Sequence, residues 1–522
     1  MSPLKRPHTL SSRATVLLWA GALLLLVVAA CAPPSGDGAD GGAAEDSRAI
    51  LMPVPGDPTV SFNIWIQAGS MHDPPGKEGV AALTGSMISQ GATTKNAFPV
   101  ILEKLYPLAA SYSVRVDKEM TTLTGRAHVE TLDTFVELLT DALLSPAFDA
   151  SDFERLKSNQ LNGLKTRLRF ADDETLGKAA LRDFIFAGTA AAHPIGGTVK
   201  GVEGLTLDDV KSFYNTYYNR DNVVVALGGG YPESLPEQML AAIDGLPEGA
   251  TAEIPTAEIE PLSGRTAQLV QKSGADASIS FGFPIDLKRG DRDFYALWVA
   301  NSWLGEHRNT SSHLFQVIRE LRGMNYGDYS YIEAFPEGGR RQMPPTNVAR
   351  RHQLFEVWIR TLPNEQALFA LRAALREVDR LVKDGMSAED FELTRSFMTK
   401  YHLHYAPSTS ARLGYKVDDA FYGIEGDGHL ANFASILPTL TLEEVNAAIQ
   451  KHWQLDNLKI AIVTGDAEGL KAGLESDAPT PMTYATPKPD EILEEDKEIS
   501  TFPLGIAEGG VTVVPVEEIF GQ

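Results

Sequence analysis

Few residues in this 522-residue chain have types and spacings that could do chemistry. His402-Leu403-His404 sets two imidazoles two positions apart, a spacing that could hold a metal from one face of a strand. No acidic or cysteine ligand stands close by to complete the set, and in a helix the two rings would point apart, so structural or exposed histidines are the plainer reading. Gly228-Gly229-Gly230 follows the apolar run VVVAL, as phosphate-binding loops follow strands, but neither GxGxxG nor a Walker pattern is present. It reads as a strand-end turn. No G-x-S-x-G occurs. The acid run Glu494-Glu495-Asp496 reads as a solvated face. The one cysteine, Cys31, ends an N-terminal apolar run.

The elements that would position such residues begin after a leader. Lys5, Arg6 and Arg13 precede the apolar run 16–30, too short to span a bilayer comfortably and laid out like a secretory signal. Residues 28–31, VAAC, resemble a bacterial lipobox, which implies a signal over 1–30 and diacylation of Cys31. A plain cleaved signal or a short anchor is the alternative. Ala32 after the cysteine, by resemblance to Gram-negative lipoproteins, implies the outer membrane of the cell envelope, facing the periplasm. Residues 31–48, small, polar and rich in Gly and Pro, read as a flexible tether. The net charge of −23 argues against nucleic acid as a partner.

The body contains an internal repeat. Leu205-Thr206-Leu207-Asp208-Asp209-Val210 matches Leu440-Thr441-Leu442-Glu443-Glu444-Val445 at an offset of 235 residues, and VVVALGGG then falls on LKIAIVTG. Asp152-Phe153-Glu154 likewise resembles Asp390-Phe391-Glu392. Each half runs strand, helix, strands, several helices, strand, which predicts an α+β fold of two related domains, 49–250 and 264–478, joined through the aperiodic stretch 247–263. Val60, Phe62, Ile64 and Ile66 alternate with Ser61, Asn63, Trp65 and Gln67, predicting a half-buried strand. Ser151 with Glu154 predicts a capping box, and Leu156, Leu161, Leu164 and Leu168 the buried stripe that follows. Residues 364–385, NEQALFALRAALREVDRLVKDG, predict a long helix ending at Gly385. Residues 479–522 read as a Pro- and acid-rich tail, with a short strand over 510–516 expected to dock it on the body.

The loop DPPGKEG before the helix GVAALTGSMISQG resembles the entry to the insulinase/pitrilysin (inverzincin) metallopeptidases, where such a loop leads into H-x-x-E-H. With His193-Pro194, which is similar to the family's G-H-P-x-G, the resemblance covers nearly the whole mature chain and implies two homologous α/β-roll domains. The five motif positions, however, read Ala82, Leu83, Thr84, Gly85 and Ser86. The third ligand, about 77 residues beyond the second histidine in that family, falls on Gly163. Ala82, Gly85, Ser86 and Gly163 are all non-coordinating. Four lost together imply no metal in this chain.

The second half keeps something else. SSHLFQVIRELRGMNYGDYSY over 311–331 is similar to the family's S-R-L-F-x-x-I-R-E-x-R-G-L-x-Y segment. The resemblance assigns Arg319 and Tyr326 to substrate binding and oxyanion stabilisation, for which a planar cation and a hydroxyl donor are suited. His313 stands where the family's serine–arginine pair has its arginine. Family members of this size often form heterodimers, one chain carrying H-x-x-E-H and zinc, the other the Arg/Tyr pair. The resemblance therefore implies a non-catalytic subunit acting in trans on an extended peptide, with zinc in the partner. A peptide-binding or scaffolding lipoprotein with no catalytic role is the alternative. An autonomous metallopeptidase would need ligands the chain lacks.

Overall fold

The alternation at Val60, Phe62, Ile64 and Ile66 sends four apolar side chains to one face of a strand, and in the computed structural model that face carries the first core. The structure describes residues 46–336 and 341–521; Cys31, the leader and most of the tether lie outside them. Asp46 and Arg48, assigned to the tether from sequence, belong to the fold, with Arg48 bridging Asp46 and Asp244 at 2.7 Å each. Residues 46–521 fall within a single compact unit.

The first half builds a five-stranded sheet in the order β1 (Ala49–Pro53), β5 (Val223–Gly229), β2 (Thr59–Ile66), β4 (Thr121–His128), β3 (Ser111–Val116). β1 runs parallel to β5 and the other neighbours are antiparallel. The second half repeats this order as β6 (Arg265–Gln271), β10 (Leu458–Thr464), β7 (Ala277–Ile285), β9 (Gln353–Leu362), β8 (Asp328–Tyr331), with β11 (Ile506–Pro515) added parallel outside β6. Residues 247–263 between the halves carry neither helix nor strand.

The repeat shows in the helix caps. Thr206 with Asp209, and Thr441 with Glu444, form reciprocal capping boxes on the helices Leu207–Tyr217 and Leu442–His452. The helix Ala150–Asn162 is capped differently from the Ser151–Glu154 box expected. Asp149, two residues ahead of Ser151, accepts from the N–H groups of Ser151 and Asp152, because its carboxylate suits the positive end of the helix dipole. Its counterpart Ser387 accepts from the Asp390 N–H. Of the leucine stripe, Leu156 and Leu164 are buried, while Leu161 and Leu168 pack at the core's margin. The long helix runs Ala367–Asp384 and stops at Gly385, as expected.

One helix of each half crosses to the other half's sheet. The Asp173–Ile185 helix sets Leu176, Ala180, Leu181 and Ile185 against Val270 of β6 and Ala461 and Val463 of β10. The Thr409–Tyr422 helix sets Leu413, Val417 and Phe421 against Trp65 of β2 and Val224 and Ala226 of β5. This corrects the half-buried reading of β2. Ser61, Asn63 and Trp65 are 1%, 3% and 6% exposed, because a helix of the second half covers the inner part of the face that alternation assigns to solvent. Two polar groups there are paired across the junction: Ser61 shares a 2.6 Å hydrogen bond with Ser410, and Asn63 Nδ2 donates to Asn347 Oδ1 at 2.9 Å, while Asn63 Oδ1 and Trp65 Nε1 are buried without a partner. Covered on both sides, β5 is buried throughout. At the connection between β3 and β4, Arg350 donates to the buried Asp117 at 2.7 Å, and Arg351 to Glu119 at 2.6 Å.

The tail is equally integrated. Its helix Asp490–Thr501 packs on Ala367–Asp384, and the acid run divides rather than facing solvent together. Glu494 pairs outward with Lys497, whereas Glu495 and Asp496 turn in to Arg322 at 2.8 Å each, with Arg376 also on Glu495. Arg322 is wholly buried, and a buried guanidinium needs such carboxylates. No helix among the described residues is long and apolar enough to cross a membrane.

Leu181 belongs to the first half but is buried against the second half's sheet. Leu181→Ala should lower stability by about 2–5 kcal/mol. Hydrogen exchange should locate the loosening in β7 and β10 rather than in β2 and β5, whereas equal loosening of both sheets would contradict the crossed packing.

Candidate functional site

The Val80–Gln90 helix, where a zinc motif would stand, begins at Gly79 in the left-handed region (φ 109°), and a Cβ there would lie 2.7 Å from the Gly196 carbonyl oxygen. Gly79 has no side chain to cap the helix, so the loop supplies one. Asp73 accepts from the Gly79 N–H at 2.6 Å and the Ala81 N–H at 2.8 Å. Next to it, His193 Nδ1 donates to the Pro194 carbonyl at 2.8 Å, its Nε2 lies 4.0 Å from the Asp73 carboxylate, and Lys118 donates to the His193 carbonyl. Burial pushes Asp73 up to about 7, while burial and the Lys118 charge push His193 down to about 4. The residues that resemble the family's framework are thus fixed by structural work.

The motif positions themselves hold nothing that binds a metal. Ser86 Oγ donates to the Ala82 carbonyl at 2.9 Å. At Gly85 a Cβ would lie 2.8 Å from Val114 Cγ1 and 2.9 Å from Val116 Cγ2, so β3 has closed onto the helix where a catalytic carboxylate would project. Gly163 opens a π-helical segment, Gly163–Ala171, that continues the helix Ala150–Asn162. The donor set does not fit a zinc ion, and no group of three or more His, Cys, Asp or Glu among the described residues could hold a metal. His402 and His404 share one 3-10 turn, with His402 Nδ1 donating to the Met398 carbonyl at 3.3 Å and the His404 ring lying against Tyr401. Gly228 and Gly229 close β5, as a strand-end turn requires.

Sequence reasoning missed a chamber. A cavity of about 1280 Å³ lies between the β2–β4–β3 part of the first sheet and residues 341–347 with the start of the Thr409–Tyr422 helix. Asn63, Ser111, Ser113, Thr122 and Thr124 face it from the sheet. Among the described residues β3 pairs only with β4, leaving its outer edge without a strand neighbour there. The signal was present in SYSVRV and TTLTGR, where hydroxyls and arginines alternate with apolar residues.

Arg319 and Tyr326 do not line this chamber. Arg319 lies in a second π-helical segment, Phe315–Glu320, a type of irregularity frequent at functional positions. Its guanidinium sits 5.7 Å from the Tyr326 ring centroid and is paired with Glu320 at 3.0 Å. Tyr326 precedes β8 and is 76% exposed, so the two residues are neighbours on an outer surface. His313 is tied down, with Nε2 2.6 Å from Glu377 and its ring stacked on Trp303 at 4.3 Å.

Residues 48–188 match the family model described as Insulinase (Peptidase family M16), and residues 204–398 match the one described as Peptidase M16 inactive domain. A Bacillus subtilis protein named Uncharacterized zinc protease YmxG is 24% identical over 70% of this chain and 84% of its own length. A Helicobacter pylori protein named Non-peptidase homolog YmxG is 23% identical over 76% of this chain and 86% of its own. Among solved structures, a peptidase M16 inactive domain from Pseudomonas fluorescens aligns with a TM-score of 0.70 at 21% identity, covering 80% of this chain and 96% of that one.

Two measurements check the site. The triple variant Ala82→His, Gly85→Glu, Ser86→His should bind no zinc by atomic absorption and should be destabilised by about 1–3 kcal/mol through overpacking at position 85. His193, held near 4 in the fold against about 6.5 when unfolded, contributes a stability present at neutral pH and lost as pH falls through that window. Asp73, raised to about 7, acts in the opposite direction. His193→Gln should therefore gain about 2 kcal/mol relative to the parent between pH 7 and pH 5, measured by denaturant unfolding at both pH values.

Proposed function

The chain belongs to the insulinase (M16) peptidase family as an inactive-type member, and from that premise we propose that it is the zinc-less subunit of a two-chain zinc metalloendopeptidase. One observation carries the reading. Arg319 and Tyr326 stand together on an outer surface, away from the chain's own chamber, while the zinc positions at Ala82, Gly85, Ser86 and Gly163 are empty of ligands and packed shut at Gly85. A pair placed there serves a neighbouring active site rather than its own.

In this reading a homologous H-x-x-E-H chain supplies zinc, its ligands and the general base. Arg319 holds the backbone carbonyl of an extended peptide through a planar cation. The Tyr326 hydroxyl donates to the oxygen on which negative charge develops as the peptide carbonyl is attacked. Both interactions strengthen with that charge, which is what accelerates a step. Cys31, by its lipobox-like context, would anchor the assembly to the outer membrane on its periplasmic side, with the tether joining the lipid to the folded body. A second reading, a peptide-holding lipoprotein with no catalytic role, is favoured by the chamber and the free edge of β3, to which an extended peptide could add as a strand.

Co-expression with an H-x-x-E-H homologue tests the first reading. Peptide hydrolysis should appear only in the mixture, and Arg319→Ala or Tyr326→Phe should lower kcat by about 10²–10³ with assembly unchanged by size-exclusion chromatography. Full activity of the partner alone, or of the mixture with both variants, would refute it.

A further inference from the structure

The chamber differs in charge from the protein that encloses it. The chain has 69 acidic residues against 46 basic ones, yet no Asp or Glu lines the chamber among the described residues, whereas Arg115, Arg126, Arg308, Arg341 and His404 do. Asp57, within electrostatic reach of Arg126, and Asp117, within reach of Arg115, are already engaged by other groups, as is Glu119. Asp57 accepts from Thr59 and Thr409, Asp117 takes Arg350, and Glu119 takes Arg351.

The arginines of the sheet wall are placed in register. β3 and β4 pair Ser111 with Arg126, Ser113 with Thr124, and Arg115 with Thr122, so the chamber face is a stripe of hydroxyls with a guanidinium at either end. Four residues of strand separate the two levels, roughly 14 Å at the usual rise. Arg126 is steadied by Thr59 Oγ1, to which its Nε and guanidinium nitrogen donate at 3.2 and 3.1 Å. A recess walled by protein focuses the field of such charges on whatever enters.

We propose that this chamber is a binding site for acidic peptide segments, drawn in by the arginines and held in extended form along β3. The inference rests on the reading that the chamber takes an extended peptide, and adds the class of peptide. The unpaired edge of β3 favours a polypeptide over other polyanions, because its N–H and C=O groups match a peptide main chain. The hydroxyls of Ser111, Ser113, Thr122 and Thr124 can donate to side-chain carboxylates and carbonyls between the two charged ends.

The test uses the full-length protein and three fluorescein-labelled dodecapeptides, identical except for Glu, Gln or Lys at alternate positions, with binding read by anisotropy at low and at moderate salt. The Glu peptide should bind about tenfold tighter than the Gln peptide at low salt, the Lys peptide weaker than both, and the preference should shrink as salt rises. The double variant Arg115→Gln, Arg126→Gln should abolish the preference while keeping affinity for the Gln peptide and an unchanged thermal midpoint. Equal binding of the Glu and Gln peptides would overturn the charge assignment and leave the peptide-holding chamber standing. Binding of none of the three would overturn the peptide reading itself, and this inference with it. Displacement of the Glu peptide by an oligothymidylate of equal charge, at equal concentration, would make the site a general polyanion site and overturn the assignment to peptides.

Discussion

The structure depends on an exchange of helices. Asp173–Ile185 leaves the first half to cover the second sheet, and Thr409–Tyr422 leaves the second half to cover the first. Neither sheet could bury its second face from its own half alone. The exchange makes the two halves one thermodynamic body, which is why residues 46–521 form a single compact unit despite a plain internal repeat. It also explains the buried ion pairs at the junction. Arg350 with Asp117 is a costly contact to desolvate, and removing either partner would leave the other charge buried and unpaired.

The chamber is what the exchange leaves uncovered. The Thr409–Tyr422 helix spans β5 and β2, while the outer strands β4 and β3 face a space bounded by residues 341–347. The polarity of the first sheet's second face changes accordingly, from Trp65, Val224 and Ala226 beneath the helix to serine, threonine and arginine over the chamber. The same sheet therefore provides a core and a binding wall. On its other face β3 packs so closely on Gly85, through Val114 and Val116, that no larger side chain fits there without a shift. What persists around the former motif, Asp73 on the helix N-terminus and His193 beside it, persists through hydrogen bonds to the backbone that no metal is needed to explain.

How much of this could be read in the sequence follows from the range of each interaction. The repeat and the Thr206 and Thr441 capping boxes were legible because caps act within one turn. Ala82, Gly85 and Ser86 at the motif positions could be read directly, because the motif lies within one helix. The burial of Ser61, Asn63 and Trp65 was not, because nothing in an amphipathic helix states which sheet it will cover. Glu495 and Asp496 looked like a solvated run because their partners Arg322 and Arg376 are more than a hundred residues away. The Asp149 cap was missed because Ser151 and Glu154 satisfied the same local pattern two residues too late. Arg319 and Tyr326 were located by resemblance, and only coordinates show that they touch each other and stand outside the chamber.

The crossing of the helices also sets an order of events for a chain made from its N-terminus. The last strand of the first sheet is complete at Gly229, but its cover is not complete until Tyr422 has been made. At usual rates of synthesis that interval is roughly ten to forty seconds. Throughout it the Thr409–Tyr422 helix, which supplies Leu413, Val417 and Phe421 to Trp65, Met120, Val224 and Ala226, is missing from the nascent chain. The first half is thus obliged to wait, and whatever shields that face while it waits becomes part of how this protein is made.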